Sequence, residues 1–139
     1  MTERRLRVAP DDDLLRRISA ALDSADVDAF SALLAPHVTW GAPDDPIASC
    51  QNRGQVLVWY QRGFDAGVRA KVVEVTALGA NVLVGLMVTG DPAAEEAGGQ
   101  IERWQVLAID QGLVTDIRGF DDRATAVVHA GSWIRSDRW

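Results

Sequence analysis

Arg103 and Gln105 stand two residues apart in a stretch of alternating apolar and polar residues, and Asp121 follows the next such stretch. A period of two puts Arg103 and Gln105 on one face of a strand, and Ile117, Gly119 and Asp121 on one face of its neighbour. Were these two faces to border one cavity, a carboxylate, a guanidinium and a carboxamide together could do acid–base chemistry. Asp121 would serve as general base or acid, Arg103 as its charge partner or an oxyanion stabiliser, and Gln105 as the group that orients a substrate. The same residues also have a structural reading. Arg103 and Asp121 could pair to close one end of the fold, or Asp121 could cap a terminal helix ahead of Asp122-Arg123-Ala124. Polar recognition of a ligand without turnover is the third reading.

Cys50, Asn52 and Arg53 form a second cluster, at the entrance to a helix. A thiol beside a helix N-terminus and an arginine can become a reactive thiolate. A lone cysteine is more simply a small buried hydrophobe, and Asn52 an N-cap. His37 and His129 lie far apart in the chain, with no His-x-x-x-His or paired-cysteine spacing, so no metal site is expected. The acidic segments 11–13 and 91–96 lack the calcium-loop pattern, and Gly98-Gly99 makes no phosphate cradle. No cofactor is expected either.

The elements that must position these residues follow from the chain's proportions and periodicity. One domain of 139 residues, with its core over about 12–130, holds 47% apolar and 24% charged residues, a globular balance. The formal net charge of −6 disfavours a nucleic-acid partner held through phosphates. Thirteen of the fourteen basic residues are arginine, Lys71 being the exception. A single cysteine excludes an intrachain disulfide. The charged stretch Met1 to Asp13 shows no signal peptide and no segment is apolar enough to span a membrane, so a cytoplasmic location is expected.

Asp11-Asp12-Asp13 sits where a helix start wants negative charge, ahead of Leu14, Leu15, Ile18, Ala21 and Leu22 at helical spacing. Asp26 caps a second helix carrying Val27, Phe30, Leu33 and Leu34, which Pro36 ends. A short strand over 37–42 and a proline-bearing loop through Asp44, Asp45 and Pro46 precede a third helix from Asn52 or Arg53 to Asp65, stopped by Gly67. Strands are predicted at 70–78, 82–90, 100–109 and 113–120. Gly79-Ala80-Asn81 and Asp110-Gln111-Gly112 serve as tight turns, and Asp91 to Gly99 as an exposed connection. A short helix is predicted over 122–130. Helices followed by a meander define an α+β class.

Three local patterns in this order resemble the nuclear transport factor 2-like superfamily and its SnoaL-like branch. They are Asp28-Ala29-Phe30 leading to Leu33-Leu34-Ala35-Pro36-His37-Val38-Thr39-Trp40, the helix Gly54-Gln55-Val56-Leu57-Val58-Trp59-Tyr60, and the hairpin from Asp110 to Asp121. The resemblance implies a cystatin-like cone, three N-terminal helices packed on a curved, mostly antiparallel sheet, with a deep pocket and frequent dimers. It implies little about reaction, because the fold hosts isomerases, cyclases, dehydratases, hydrolases and pure binding modules. Where limonene-epoxide-hydrolase-like members carry their Arg and two Asp, this chain has Leu86, Val88 and Gly119. Where ketosteroid-isomerase-like members carry a carboxylate base after the first strand, it has Gly41 or Ala42, with Asp44 and Asp45 beyond Pro43.

The facing that the resemblance implies turns Leu86, Val88 and Gly90 inward from one strand, Ile101, Arg103, Gln105 and Leu107 from the next, and Ile117, Gly119 and Asp121 from the last. Trp40 and Ala42 join from the first strand, and Tyr60 and Phe64 from the third helix. The expected pocket is apolar with a few convergent polar groups, the make-up of a small-molecule site. Trp40 and Tyr60 would either plug it or stack on a planar ligand. Met87, Trp104, Val106 and Phe120 would point outward beside Glu102 and Arg118. An apolar patch of that kind suggests a homodimer packed sheet against sheet, the alternative being that helices cover this face and the pocket lies elsewhere. Three functions follow: a protein that binds a small apolar molecule, a SnoaL- or ketosteroid-isomerase-like enzyme acting on a carbonyl substrate, or a dimeric interaction module without turnover.

Overall fold

A computed structural model describes residues 10–44 and 48–136, with residues 132–136 described by their backbone alone. Asp45 and the last three residues lie outside this range, as does most of the charged N-terminal stretch.

Helix α1 (Asp12–Asp23) begins where the Asp11 carboxylate accepts from the Leu14 amide at 2.9 Å, and it buries Leu14, Ile18, Ala21 and Leu22. Asp26 caps α2 (Val27–Leu33) by accepting from the Ala29 amide at 3.0 Å. Strand β1 (Leu34–Gly41) follows directly, three residues earlier than the sequence suggests. Pro36 therefore lies inside a strand and does not end the helix. It is tolerated because β1 is an edge strand whose pairing with β5 shifts register between Leu34 and Thr39. His37, expected at a loop edge, is an exposed residue of that strand.

Helix α3 (Arg53–Asp65) is capped by Asn52, which accepts from the Gln55 amide, while the Gln55 side chain accepts from the Gln51 amide. Gly67 follows the helix at φ 97°, its amide bonded to the Phe64 carbonyl.

The sheet comprises β2 (Arg69–Leu78), β3 (Asn81–Thr89), β4 (Gln100–Asp110) and β5 (Leu113–Phe120), with β1 added parallel to β5. Its order is β1-β5-β4-β3-β2. Gly79 and the pair Gln111-Gly112 take positive φ in the two tight turns, whereas Asn81 is already a buried strand residue. A register shift between Val72 and Glu74 bends edge strand β2. There the Val72 amide donates to the Asp23 carboxylate at 3.0 Å, tying α1 to the sheet edge.

The acidic connection after β3 is not a plain loop. Asp91 caps α4 (Pro92–Glu96), with proline in its first turn, and Ala94 is fully buried although Pro92, Glu95 and Glu96 are exposed.

Two cores flank the sheet. Helices α1–α3 enclose the larger, where Leu86, Val88, Leu107 and Ile117 meet Ile18, Phe30 and Leu33. On the other face, α5 (Arg123–Ser136) packs Ala126 and Ala130 against Leu83, Trp104, Val106 and Phe120. The face expected to stay open is thus largely covered within one chain. Trp104, Val106 and Phe120 are buried and Met87 is half-buried, so the exposed apolar patch that motivated a sheet-to-sheet dimer is absent at these residues. Helix α5 also runs past the predicted end at 130, and its N-cap is Asp122, whose carboxylate accepts from the Thr125 amide at 2.8 Å, rather than Asp121. Among the described residues no helix is long and apolar enough to cross a membrane.

Candidate functional site

The ladder between strands sets the cavity floor. Val72, Leu86 and Arg103 are successive cross-strand neighbours, as are Val84, Gln105 and Gly119. Residues paired this way point to one side of the sheet. Above them lies α3, whose Tyr60, Gly63 and Phe64 recur at helical spacing. The space between them is a cavity of about 620 Å³. Its mouth is shaped by a close approach: Gly90, at φ 87°, lies so near the Gly67 carbonyl that any side chain there would collide with it. That contact holds the α3–β2 connection, with Val68 and Arg69, against the end of β3.

Of the fourteen residues expected to face inward, nine line this space: Trp40, Tyr60, Phe64, Leu86, Val88, Arg103, Gln105, Gly119 and Asp121, whereas Ala42, Gly90, Ile101 and Leu107 do not. Nor does Ile117, which is buried in the main core, paired with Leu107 and Trp40 on its two neighbouring strands.

The cavity also takes in residues the sequence reading passed over. Trp59 lies four residues before Gly63 on α3, so the helical period would have found it. Leu22 and Ala25 come from α1 and its C-terminal turn, Ala70 from β2, and Arg62, Arg69 and Asp91 from the rim. These depend on how distant elements dock, which periodicity does not encode.

Aromatic rings dominate one wall. Trp40 and Trp59 meet edge to face at 4.7 Å between centroids, with Trp59 56% exposed. Tyr60 lies against Phe30 at 4.8 Å, and burial pushes its phenol pKa upward, so the hydroxyl stays protonated. Neither the Tyr60 hydroxyl nor the Gln105 carboxamide hydrogen-bonds another side chain or backbone group among the described residues. Both are therefore available to a guest.

Arg103 and Asp121 do pair, through Nη1 and Oδ1. The pair sits at the rim, and the Asp121 side chain is 88% exposed. The carboxylate therefore stands in water rather than enclosed by the cavity wall. No carboxylate stands at the end of β1 either: Gly41 and Ala42 occupy that position, and the Ala42 carbonyl accepts from Arg118 at 2.7 Å.

Cys50 is buried and bridges to Trp40 through two backbone hydrogen bonds, and burial raises its pKa. The shift opposes thiolate formation, and His37 is exposed on β1, so the arrangement does not support a nucleophilic thiol. No group of three or more His, Cys, Asp or Glu that could hold a metal ion occurs among the described residues.

The sheet and helices define a cystatin-like, nuclear transport factor 2-like fold. Within that class the match is narrower, because residues 15–117 fit the SnoaL-like domain, and the chain belongs to that family. A proposed polyketide cyclase from Sinorhizobium meliloti superposes with a TM-score of 0.61 at 22% identity, covering 79% of this chain and 95% of that one. A proposed ketosteroid isomerase from Kribbella flavida gives 0.64 at 21% identity over 80% and 76%. A proposed SnoaL-like polyketide cyclase from Jannaschia sp. gives 0.64 at 17% identity over 93% and 96%. At these identities the likeness is one of fold. No curated protein matches the sequence.

Proposed function

We propose that this protein binds a small apolar molecule bearing a carbonyl group in the cavity between α3 and the sheet. The observation that carries the reading is the cavity itself. Its volume of about 620 Å³ falls inside the range of ligand sites, roughly 300–1,000 Å³. Its walls are aromatic and aliphatic, and Gln105 and Tyr60 offer uncommitted hydrogen-bond groups to a carbonyl oxygen. Two structural relatives bear the names polyketide cyclase and ketosteroid isomerase. Polyketides and ketosteroids are both carbonyl compounds of largely apolar body.

A screen by thermal unfolding tests the reading directly, using polycyclic ketones, steroids, aromatic polyketides and terpenoid epoxides. Ligand at a hundred times Kd adds about 2.7 kcal/mol, or roughly 10 °C in Tm for a domain of this size. A saturable rise for one class supports the proposal. No rise across the panel counts against it.

A second reading, acid–base isomerisation or cyclisation, rests on the Arg103–Asp121 pair at the cavity rim. Asp121 would be the base and Arg103 its charge partner. Turnover should then vanish in Asp121→Asn while ligand affinity persists, and equal loss of both would exclude the role.

A further inference from the structure

The mouth of the cavity carries more guanidinium groups than its apolar walls require. Arg62, Arg69 and Arg103 line it, against Asp91 and Asp121, in a chain whose formal charge is −6. Their commitments differ. Arg103 is taken up by Asp121. The Asp91 carboxylate is occupied as the α4 cap, accepting from the Ala94 amide at 2.7 Å. Asp65, the last residue of α3, accepts from the Gln61 amide group at 2.9 Å. Among the described residues, neither Arg62 nor Arg69 forms an ion pair.

Arg69 is also held in place. Its Nη1 donates to the Phe64 and Val68 carbonyls, each at 2.9 Å, and its guanidinium carbon stands 3.9 Å from the Phe64 ring centroid. Two carbonyls and a ring face fix the plane of the group, leaving Nε and Nη2 without a partner among the described residues. Phe64 itself is part of the cavity wall. A cation fixed over a wall aromatic, with unused donors, is arranged to meet an anionic oxygen on the outer end of a molecule whose body lies inside.

We infer that Arg69, assisted by Arg62, forms an anion subsite at the cavity mouth, so that the ligand is an apolar molecule carrying a carboxylate or comparable anionic group at one end. The inference rests on the proposed function and deepens it. Both arginines are exposed, so the gain is moderate and salt-sensitive.

Two fluorescent probes of nearly the same apolar body separate the two claims. N-phenyl-1-naphthylamine is neutral, and 1-anilinonaphthalene-8-sulfonate adds one sulfonate. Saturable binding of the neutral probe tests the cavity alone. The subsite predicts that the sulfonate binds about 3- to 10-fold more tightly at low salt. That preference should shrink toward unity in Arg69→Gln and in Arg62→Gln, and in wild type at high salt. Arg16→Gln on α1, where Arg16 pairs with Asp13, removes the same charge elsewhere and should leave the preference intact. Equal or weaker binding of the sulfonate by wild-type protein overturns the subsite while the cavity reading stands, and needs no variant to fold. A preference that survives in both cavity variants overturns it too. Failure of both probes to bind removes the cavity reading and the subsite together.

Discussion

Gly119→Leu separates the cavity's role from the fold's stability, because the two should move in opposite directions. Gly119 lies on β5 opposite Gln105, and a Cβ built there meets no atom within 4 Å. Its φ is not positive, so a larger residue adopts the backbone without strain. Glycine within a strand costs roughly 0.5–1 kcal/mol of stability through lost chain entropy, which the substitution recovers. Thermal unfolding should therefore move up by about 2–4 °C or stay level. The leucine side chain meanwhile projects into the cavity and excludes ligand. Displacing about 60–100 Å² of apolar contact at 25 cal/mol per Å² loses roughly 1.5–2.5 kcal/mol. That weakens Kd by between about tenfold and seventyfold. The neutral naphthylamine probe gives the affinity and circular dichroism the melting curve. An unchanged Kd for a probe that binds wild type would place the ligand elsewhere, and a Tm falling by several degrees would show that the wall is not open at this position.

Further outcomes check other parts of the structure. Gly85→Ala should do the reverse of Gly119→Leu: its Cβ would meet the Trp104 ring at 2.5 Å, and that ring is pinned under α5. The overpacking costs about 1–3 kcal/mol, read as a Tm loss of several degrees, and an unchanged Tm would mean that the indole is free to move. His129 packs against Phe120 at 5.1 Å, and its pKa is lowered by burial first, then by Arg118, against the opposing pull of Asp116. The unfolded chain then binds more protons below about pH 6.5, so stability is full above that value and falls as the pH drops through it. Melting temperatures between pH 7 and 5 should show this slope, and His129→Leu should flatten it. Glu74 carries a pKa lowered chiefly by its hydrogen bond from Arg123, so the stability it lends is present above about pH 4.5 and is lost as the pH falls further. Arg123→Gln should remove that lower step and leave the His129 step in place.

Much of the architecture was legible because it is written in local chemistry. The caps at Asp26 and Asn52 are single side chains reaching their own helix, and the four meander strands announce themselves by alternation. Alternation also put Arg103 and Gln105 on one face, and the family resemblance turned that face, with Gly119, toward the cavity. What escaped depends on contacts between distant segments. Pro36 reads as a helix end, yet the chain turns into a strand two residues sooner because β5 pairs with Leu34. Helix α4 does have a local signature, Asp91-Pro92 followed by alanines and glutamates, masked by the acidic, glycine-bearing context. The cover on the outer face rests on Ala126 and Ala130, one turn apart, and two small residues make too faint a stripe to announce a packed helix. Without that cover, Trp104 and Phe120 read as a dimer seam. The charge on Asp121 was legible but its exposure was not, since the residue just past a strand's end can turn either into a cavity or out to water.

Amide chemical shifts during titration with a carbonyl-bearing apolar ligand test the central claim most directly. Saturable changes should concentrate at Leu86, Val88, Gln105, Gly119 and the α3 segment from Trp59 to Phe64, with little change at Ala126 and Ala130 beneath the opposite face. Shifts centred on α5, with the cavity strands silent, would contradict it.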